Sequence, residues 1–229
     1  MPEKPQKNQR HNDEPTTDTV CLSPAKQKSS THALSWWAQQ ISSLKHVPRT
    51  GWALRGVPNP ESVAAHSFGV GLWAWWLFQR HPQKQILSLE KILLLALLHD
   101  LPEAGIGDLV PRQRKLLFGA ENTNAKQHAE QRFWQEAPTN PTPPPFLIQA
   151  EQLWSTLLDT HAPETQVIKQ ADALDCVMQA LFYREQAPFN LHEFAALIPK
   201  AAGDDPQLKT QLEQAWTERF LESPSRSQE

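Results

Sequence analysis

Residues 88–108 read SLEKILLLALLHDLPEAGIGD. Ser88 has the side chain that caps a helix N-terminus, and Ile92-Leu93-Leu94-Leu95-Ala96-Leu97-Leu98 is apolar at every position. A helix is therefore predicted over Leu89 to Asp100, enclosed by apolar neighbours rather than facing water. His99 and Asp100 end that run, and a polar pair in such surroundings costs free energy unless each group meets a partner or a metal. Pro102 and the Gly105/Gly107 pair then bend the chain.

Working outward, Ser62 to Gln79 carries apolar residues on nearly every side and reads as a central helix, with Pro60 and Glu61 suited to its first turn. Leu34, Trp37, Ile41 and Leu44 give helical spacing to Ala33–His46, and the glycines and prolines of Pro48 to Pro60 make a structured loop. Downstream, Asn122–Glu136, Phe146–Leu158 and Glu164–Glu185 read as helices, with Pro138 to Pro145 as a connector and shorter helices near Leu191–Pro199 and Gln207–Leu221. β-branched clusters are scarce, so the fold class is all-α, a helical bundle. Residues 1–31 have almost no large apolar side chain and are expected to be a disordered leader. One helical domain is expected over residues 32–222, with 223–229 as a flexible tail.

The chain has 229 residues, enough for one sizeable core. Its 22 Lys+Arg against 25 Asp+Glu leave no basic excess to coat a phosphate backbone, so nucleic acid is not an expected partner. Cys21 and Cys176 form neither a disulfide framework nor a zinc-ribbon spacing, which suits a reducing cytoplasm. The apolar runs Val70–Phe78 and Ile92–Leu98 fall well short of the roughly 18 residues that cross a bilayer, so no membrane association is expected.

A His-Asp dipeptide alone says little, because histidines often merely cap or hydrogen-bond. Here His66 lies one helix upstream and Asp172 on a helix downstream, and three helices of a bundle can aim such side chains at one point. Two imidazoles and two carboxylates suit a divalent transition ion better than an all-oxygen calcium site. Glu103, four residues after His99, stands where a general base or acid would be, though it also suits a helix N-terminus after Pro102. Lys169 and Asp175 flank Asp172 on one side of its helix and are expected to form an ion pair that orients it. Trp73, Trp75 and Trp76 belong to the core or to a subunit interface of a homodimer.

The ordered set His66, His99-Asp100, Asp172 resembles the signature of HD-domain metal-dependent phosphohydrolases, an all-helical family. Four blocks tighten the resemblance to the YfbR-like 5'-deoxynucleotidase branch. They are Pro48-Arg49-Thr50-Gly51-Trp52, Glu61 to His66, His99-Asp100-Leu101-Pro102-Glu103 through Gly107-Asp108, and Lys169 to Leu174, within a similarity from about Ser35 to Tyr183. The resemblance implies an HD-domain-type bundle in which His66, His99, Asp100 and Asp172 bind one divalent ion (Mn, Co, Fe, Ni, Zn or Mg). It implies further that Glu103 serves catalysis, and that Arg49 and Asp108 line the pocket of a small-molecule nucleotide, with Trp52 beside the sugar. Arg49 otherwise reads as a surface ion-pair partner and Asp108 as a loop cap. Many relatives carry an acidic residue just before the first histidine, where this chain has Ala65, and Thr50 and Gly51 separate Arg49 from Trp52. The expected reaction is hydrolysis of nucleoside 5'-monophosphates, the deoxy form favoured. Hydrolysis of another phosphorylated metabolite or signalling nucleotide, and a non-catalytic metal-stabilised protein, are the alternatives.

Overall fold

The computed structural model describes residues 24–110, 113, 124–138, 143–187, 189–190 and 192–221. The predicted leader up to residue 23 and the tail 223–229 lie outside them, as do parts of the Pro-rich connector. The described residues are helical: α1 (Pro24–Leu44), α2 (Thr50–Ala53), α3 (Val63–Arg80), α4 (Leu89–Leu98), α5 (Glu103–Ile106) and α6 (Ala125–Gln135). They continue as α7 (Pro145–Ser155), α8 (Pro163–Tyr183), α9 (His192–Ala195), α10 (Ile198–Ala202) and α11 (Pro206–Leu221). Among the described residues, no helix is long and apolar enough to cross a membrane.

The central layer is α3, packed against α4 on one side and α8 on the other. Val70, Ala74 and Leu77 from α3 meet Ile92, Leu95 and Ala96 from α4 and Ala171, Leu174 and Val177 from α8, all buried. A second cluster, with Leu44, Val63, Leu98, Leu101, Phe133 and Trp154, ties α1, α6 and α7 to the ends of α3 and α4. Each fully buried aliphatic side chain of this kind contributes about 1.5–3 kcal/mol. Their place between three helices makes the spot where α3, α4 and α8 meet the least deformable part of the fold.

Three expectations shift. First, α1 begins at Pro24 rather than after residue 31, because Pro24 suits a first helical turn and Ala25, Lys26, Gln27 and Lys28 are strong helix formers ahead of the anchoring Ala33. Second, α3 begins at Val63 and not at Pro60. The Ser62 side chain accepts from the Ala65 N–H, while the Glu61 carbonyl accepts from the Arg49 N–H at 2.9 Å, so Pro48 and Ser62 pair as an isolated bridge. Third, α4 is not enclosed all round, since Leu93 and Leu97 are exposed, as are Phe68, Leu72 and Trp75 of α3. Trp73 and Trp76 pack on the core and Trp75 does not. Ser88 caps α4 as predicted, accepting from the Lys91 N–H at 3.2 Å.

Candidate active site

α4 stops at Leu98, and the chain turns through His99 to Pro102 into the short α5, which ends on Gly107 at φ 78°, a left-handed conformation that glycine adopts without steric cost. That turn sets His99, Asp100 and Glu103 against α3 and α8. His66 Nε2 stands 3.4 Å from Asp172 Oδ1 and 3.8 Å from Asp100 Oδ2, and His99 Nε2 stands 3.2 Å from Asp100 Oδ2. One ligand atom each from His66, His99 and Asp172 falls within a 4.8 Å span. The four residues singled out in the sequence are thus brought to one point.

Both imidazoles are oriented from behind. His66 Nδ1 donates to Asp175 Oδ2 at 2.7 Å, and His99 Nδ1 donates to the Ala96 carbonyl at 2.7 Å. Those acceptors cannot donate, so they fix the tautomers and turn each Nε2 inward, where neither buried atom has a hydrogen-bond partner. This is the arrangement that metal-binding histidines need: one nitrogen fixed by an acceptor, the other aimed at a shared point ringed by carboxylates. Burial opposes a charged His66, but the nearby Asp172 carboxylate and the hydrogen bond to Asp175 outweigh it and push its pKa up to about 10. Positive charge is favoured at Nε2, whether carried by a proton or by a divalent cation competing with it. Burial likewise opposes ionisation of Asp172 and Asp100, yet Asp172 beside His66 and Lys200, and Asp100 beside His99 and Arg49, stay below the usual carboxylate range. The residues present fit a divalent metal. A second trio, Glu61, His66 and Asp175, would use His66 Nδ1, whose proton already goes to Asp175.

The support from Asp175 replaces the expected Lys169–Asp175 ion pair, which does not form. It also supplies what Ala65 does not. Asp175 reaches His66 because Gly69 lies opposite: a Cβ there would come 2.2 Å from Asp175 Oδ1.

Glu103 is almost fully buried, with Oε1 accepting from Lys126 Nζ at 3.0 Å and Oε2 without a partner. Burial first, then the Asp100 charge, push its pKa up to about 8 against the pull of Lys126. Arg49 donates from Nη1 to Asp100 Oδ2 at 3.0 Å and lies 3.8 Å from Asp108 through Nε. Asp108 Oδ2 also accepts from the Thr50 N–H at 2.8 Å, so it caps α2 while facing the cleft. Arg49 and Trp52, one helical turn apart at the start of α2, both line that cleft of about 270 Å³, so the two intervening residues bring them to one side. Trp52 is held firmly: Nε1 donates to Glu61 Oε1 at 3.0 Å, and the indole stacks on Phe194 at 4.6 Å between centroids.

Several residues at the site carry no sequence signal. Lys126 on α6 lines the cleft, Lys200 on α10 reaches Asp172 Oδ2 at 3.3 Å, and Arg55 lies over the Phe194 ring at 4.9 Å. Lys126 and Lys200 come from elements whose pattern speaks only of a solvated helix face, and Arg55 from the turn after α2. Cys176 also borders the cleft, but burial pushes its thiol up to about 12, so it is no nucleophile.

Residues 41–218 match the model of the HD domain family. The chain belongs to that family. It is 28% identical over 169 residues to the 5'-deoxynucleotidase HDDC2 of Xenopus laevis, covering 72% of this chain and 78% of that one. The Danio rerio 5'-deoxynucleotidase HDDC2 is 30% identical over 157 residues, 67% of this chain and 72% of the relative. Among solved structures, a conserved hypothetical protein from Pyrococcus furiosus superposes with a TM-score of 0.64 at 29% identity, covering 80% of this HD-domain chain and 99% of the other. A predicted metal-dependent phosphohydrolase from Magnetospirillum magnetotacticum shares the fold, with a TM-score of 0.63 at 16% identity over 87% of this chain and 97% of that one.

Proposed function

We propose that this HD-domain protein is a metal-dependent phosphomonoesterase that hydrolyses nucleoside 5'-monophosphates, the deoxyribo form preferred, to nucleoside and phosphate. The observation that carries the reading is the pair of inward-facing Nε2 atoms, ringed by Asp100 and Asp172, beside a buried Glu103 with one free oxygen. The curated relatives named 5'-deoxynucleotidases support the choice of substrate class.

His66, His99, Asp100 and Asp172 would hold the ion, which when bound neutralises phosphate charge and acidifies its water. Arg49 offers a planar fork of donors for phosphate oxygens, exchanging its contact with Asp100 for one with substrate. Glu103, whose carboxyl burial holds in its protonated form in the metal-free fold, would give a proton to the departing 5'-oxygen through its free Oε2. Trp52, Phe194 and Arg55, stacked on one another in the lining of the cleft, would take the sugar and base side of the substrate, and the anchored indole would limit room for a 2'-hydroxyl. Asp108 keeps one oxygen for a sugar hydroxyl while the other caps α2. Phosphate release across nucleoside 5'-monophosphates, their 3'-isomers and sugar phosphates checks the class. Turnover is expected for the 5'-esters, and equal turnover of all three would contradict it.

The homodimer reading draws on one face. Phe68, Trp75 and Leu97 are exposed by 65, 50 and 56%, and apart from buried His66 no ionisable side chain lies between Val63 and Phe78. An uncharged apolar face of this kind is what two identical surfaces bury against each other about a two-fold axis. Sedimentation should give a dimer for the native chain and a monomer for Leu97→Asp; a monomeric native chain would exclude it.

A further inference from the structure

Lys126 is a cation that the reaction outlined above does not use. It stands at the start of α6, contributed from outside the α3–α4–α8 layer, and its Nζ donates to Glu103 Oε1 at 3.0 Å. Glu130, one turn further along α6, holds the same Nζ at 3.2 Å. The ammonium is therefore clamped between two carboxylates rather than left to swing into the cleft that it borders. Of the two Glu103 oxygens, one is bound and the other, Oε2, is buried without a partner. A carboxyl group with both oxygens free could rotate and present either; one tethered through Oε1 presents Oε2 alone. The Phe133 ring on the same α6 packs against Gly105, where a Cβ would come 3.1 Å from it, so α6 is seated closely on the α5 turn that carries Glu103.

We propose that Lys126 is a positioning residue for the hydrolysis: by binding Glu103 Oε1, and being bound in turn by Glu130, it fixes Oε2 as the oxygen that meets the reacting atoms. Lys126 acts through Glu103 and does not contact the phosphate. This rests on the phosphomonoesterase reading. Inactivity of the native chain on every nucleoside 5'-monophosphate defeats that reading, whereas the outcomes below concern Lys126 alone.

The test is a double-mutant cycle on the full chain with its metal restored, following a 2'-deoxynucleoside 5'-monophosphate. Lys126→Met keeps the length of the stem and loses the donor. It should lower kcat by about 10- to 100-fold, part of the range for a positioned acid or base, with KM within about twofold and metal content unchanged. Lys126→Arg, which keeps a donor, should recover most of the loss. In a Glu103→Gln background Lys126→Met should cost less than about twofold, because residues acting as one unit are not additive. Glu130→Gln loosens Lys126 without emptying its place, and is the second variant should Lys126→Met lower the melting temperature sharply; its smaller loss in kcat should vanish in the same background. Equal losses with and without the Glu103 carboxylate, or a raised KM with kcat unchanged, would overturn the proposal, the latter pointing to direct contact with substrate.

Discussion

His66 shows how one residue is made into a ligand by others. Its ring is fully buried, its Nδ1 donates to Asp175, and Asp175 fits only because position 69 has no side chain. Gly69→Ala should push the Asp175 carboxylate away and free the imidazole to turn. Loss of such a supporting partner costs about 10- to 100-fold in metal affinity. Competition with a chromophoric chelator measures it, and an unchanged affinity would show that Asp175 does not orient His66. Glu103 makes a prediction of a different kind. In the metal-free fold its carboxyl keeps a proton up to about 8, whereas in the unfolded chain it ionises near the ordinary glutamate value. The native state thus binds more protons between those two values. The stabilisation is full below the unfolded pKa and is lost as pH rises toward 8. Melting temperatures of chelator-treated protein should fall across that window in the native chain and less steeply in Glu103→Gln. Parallel curves would mean that Glu103 titrates normally. With metal restored, the same variant should keep its ion and lose about 10²- to 10⁴-fold in turnover.

At the scale of elements, the legible parts were those with strong local physics. The Ile92–Leu98 run, the Ser88 cap and the helical spacing of Ala33–His46 and Glu164–Glu185 specify α4, α1 and α8 because propensity, capping and apolar pattern agree there. Boundaries were less legible. Pro60 and Glu61 look like a helix start, yet Glu61 hydrogen-bonds across to Arg49, a contact between distant positions that no local pattern announces. The short α2 was hidden among glycines and prolines, and its formation is what places Arg49 and Trp52 one turn apart. For the site, the histidines and carboxylates stood out because charged groups beside enclosed helices need a purpose. Lys126, Lys200 and Arg55 did not, because on α6, α10 and the turn after α2 they are indistinguishable from solvated surface cations until the fold brings them inward.

Over the whole molecule, a rigid three-helix layer holds the candidate ligands while the outer segments supply the rest of the cleft: Arg49 just before α2 and Trp52 within it, Asp108 from the end of the α5 turn, Lys126 from α6 and Phe194 from α9. Ligands on the best-packed helices keep a fixed geometry, and groups on short outer elements are free to differ in size and shape without disturbing it. Chemistry is thereby separated from specificity. The most direct test of a metal centre built by His66, His99, Asp100 and Asp172 is phosphate release from a 2'-deoxynucleoside 5'-monophosphate by chelator-stripped protein, titrated with a divalent transition ion. Activity should be absent at the start and rise to a plateau at about one ion per chain, with Asp172→Ala binding the ion weakly and failing to reach that plateau. Full turnover by the stripped protein, or a plateau reached normally by Asp172→Ala, would contradict it.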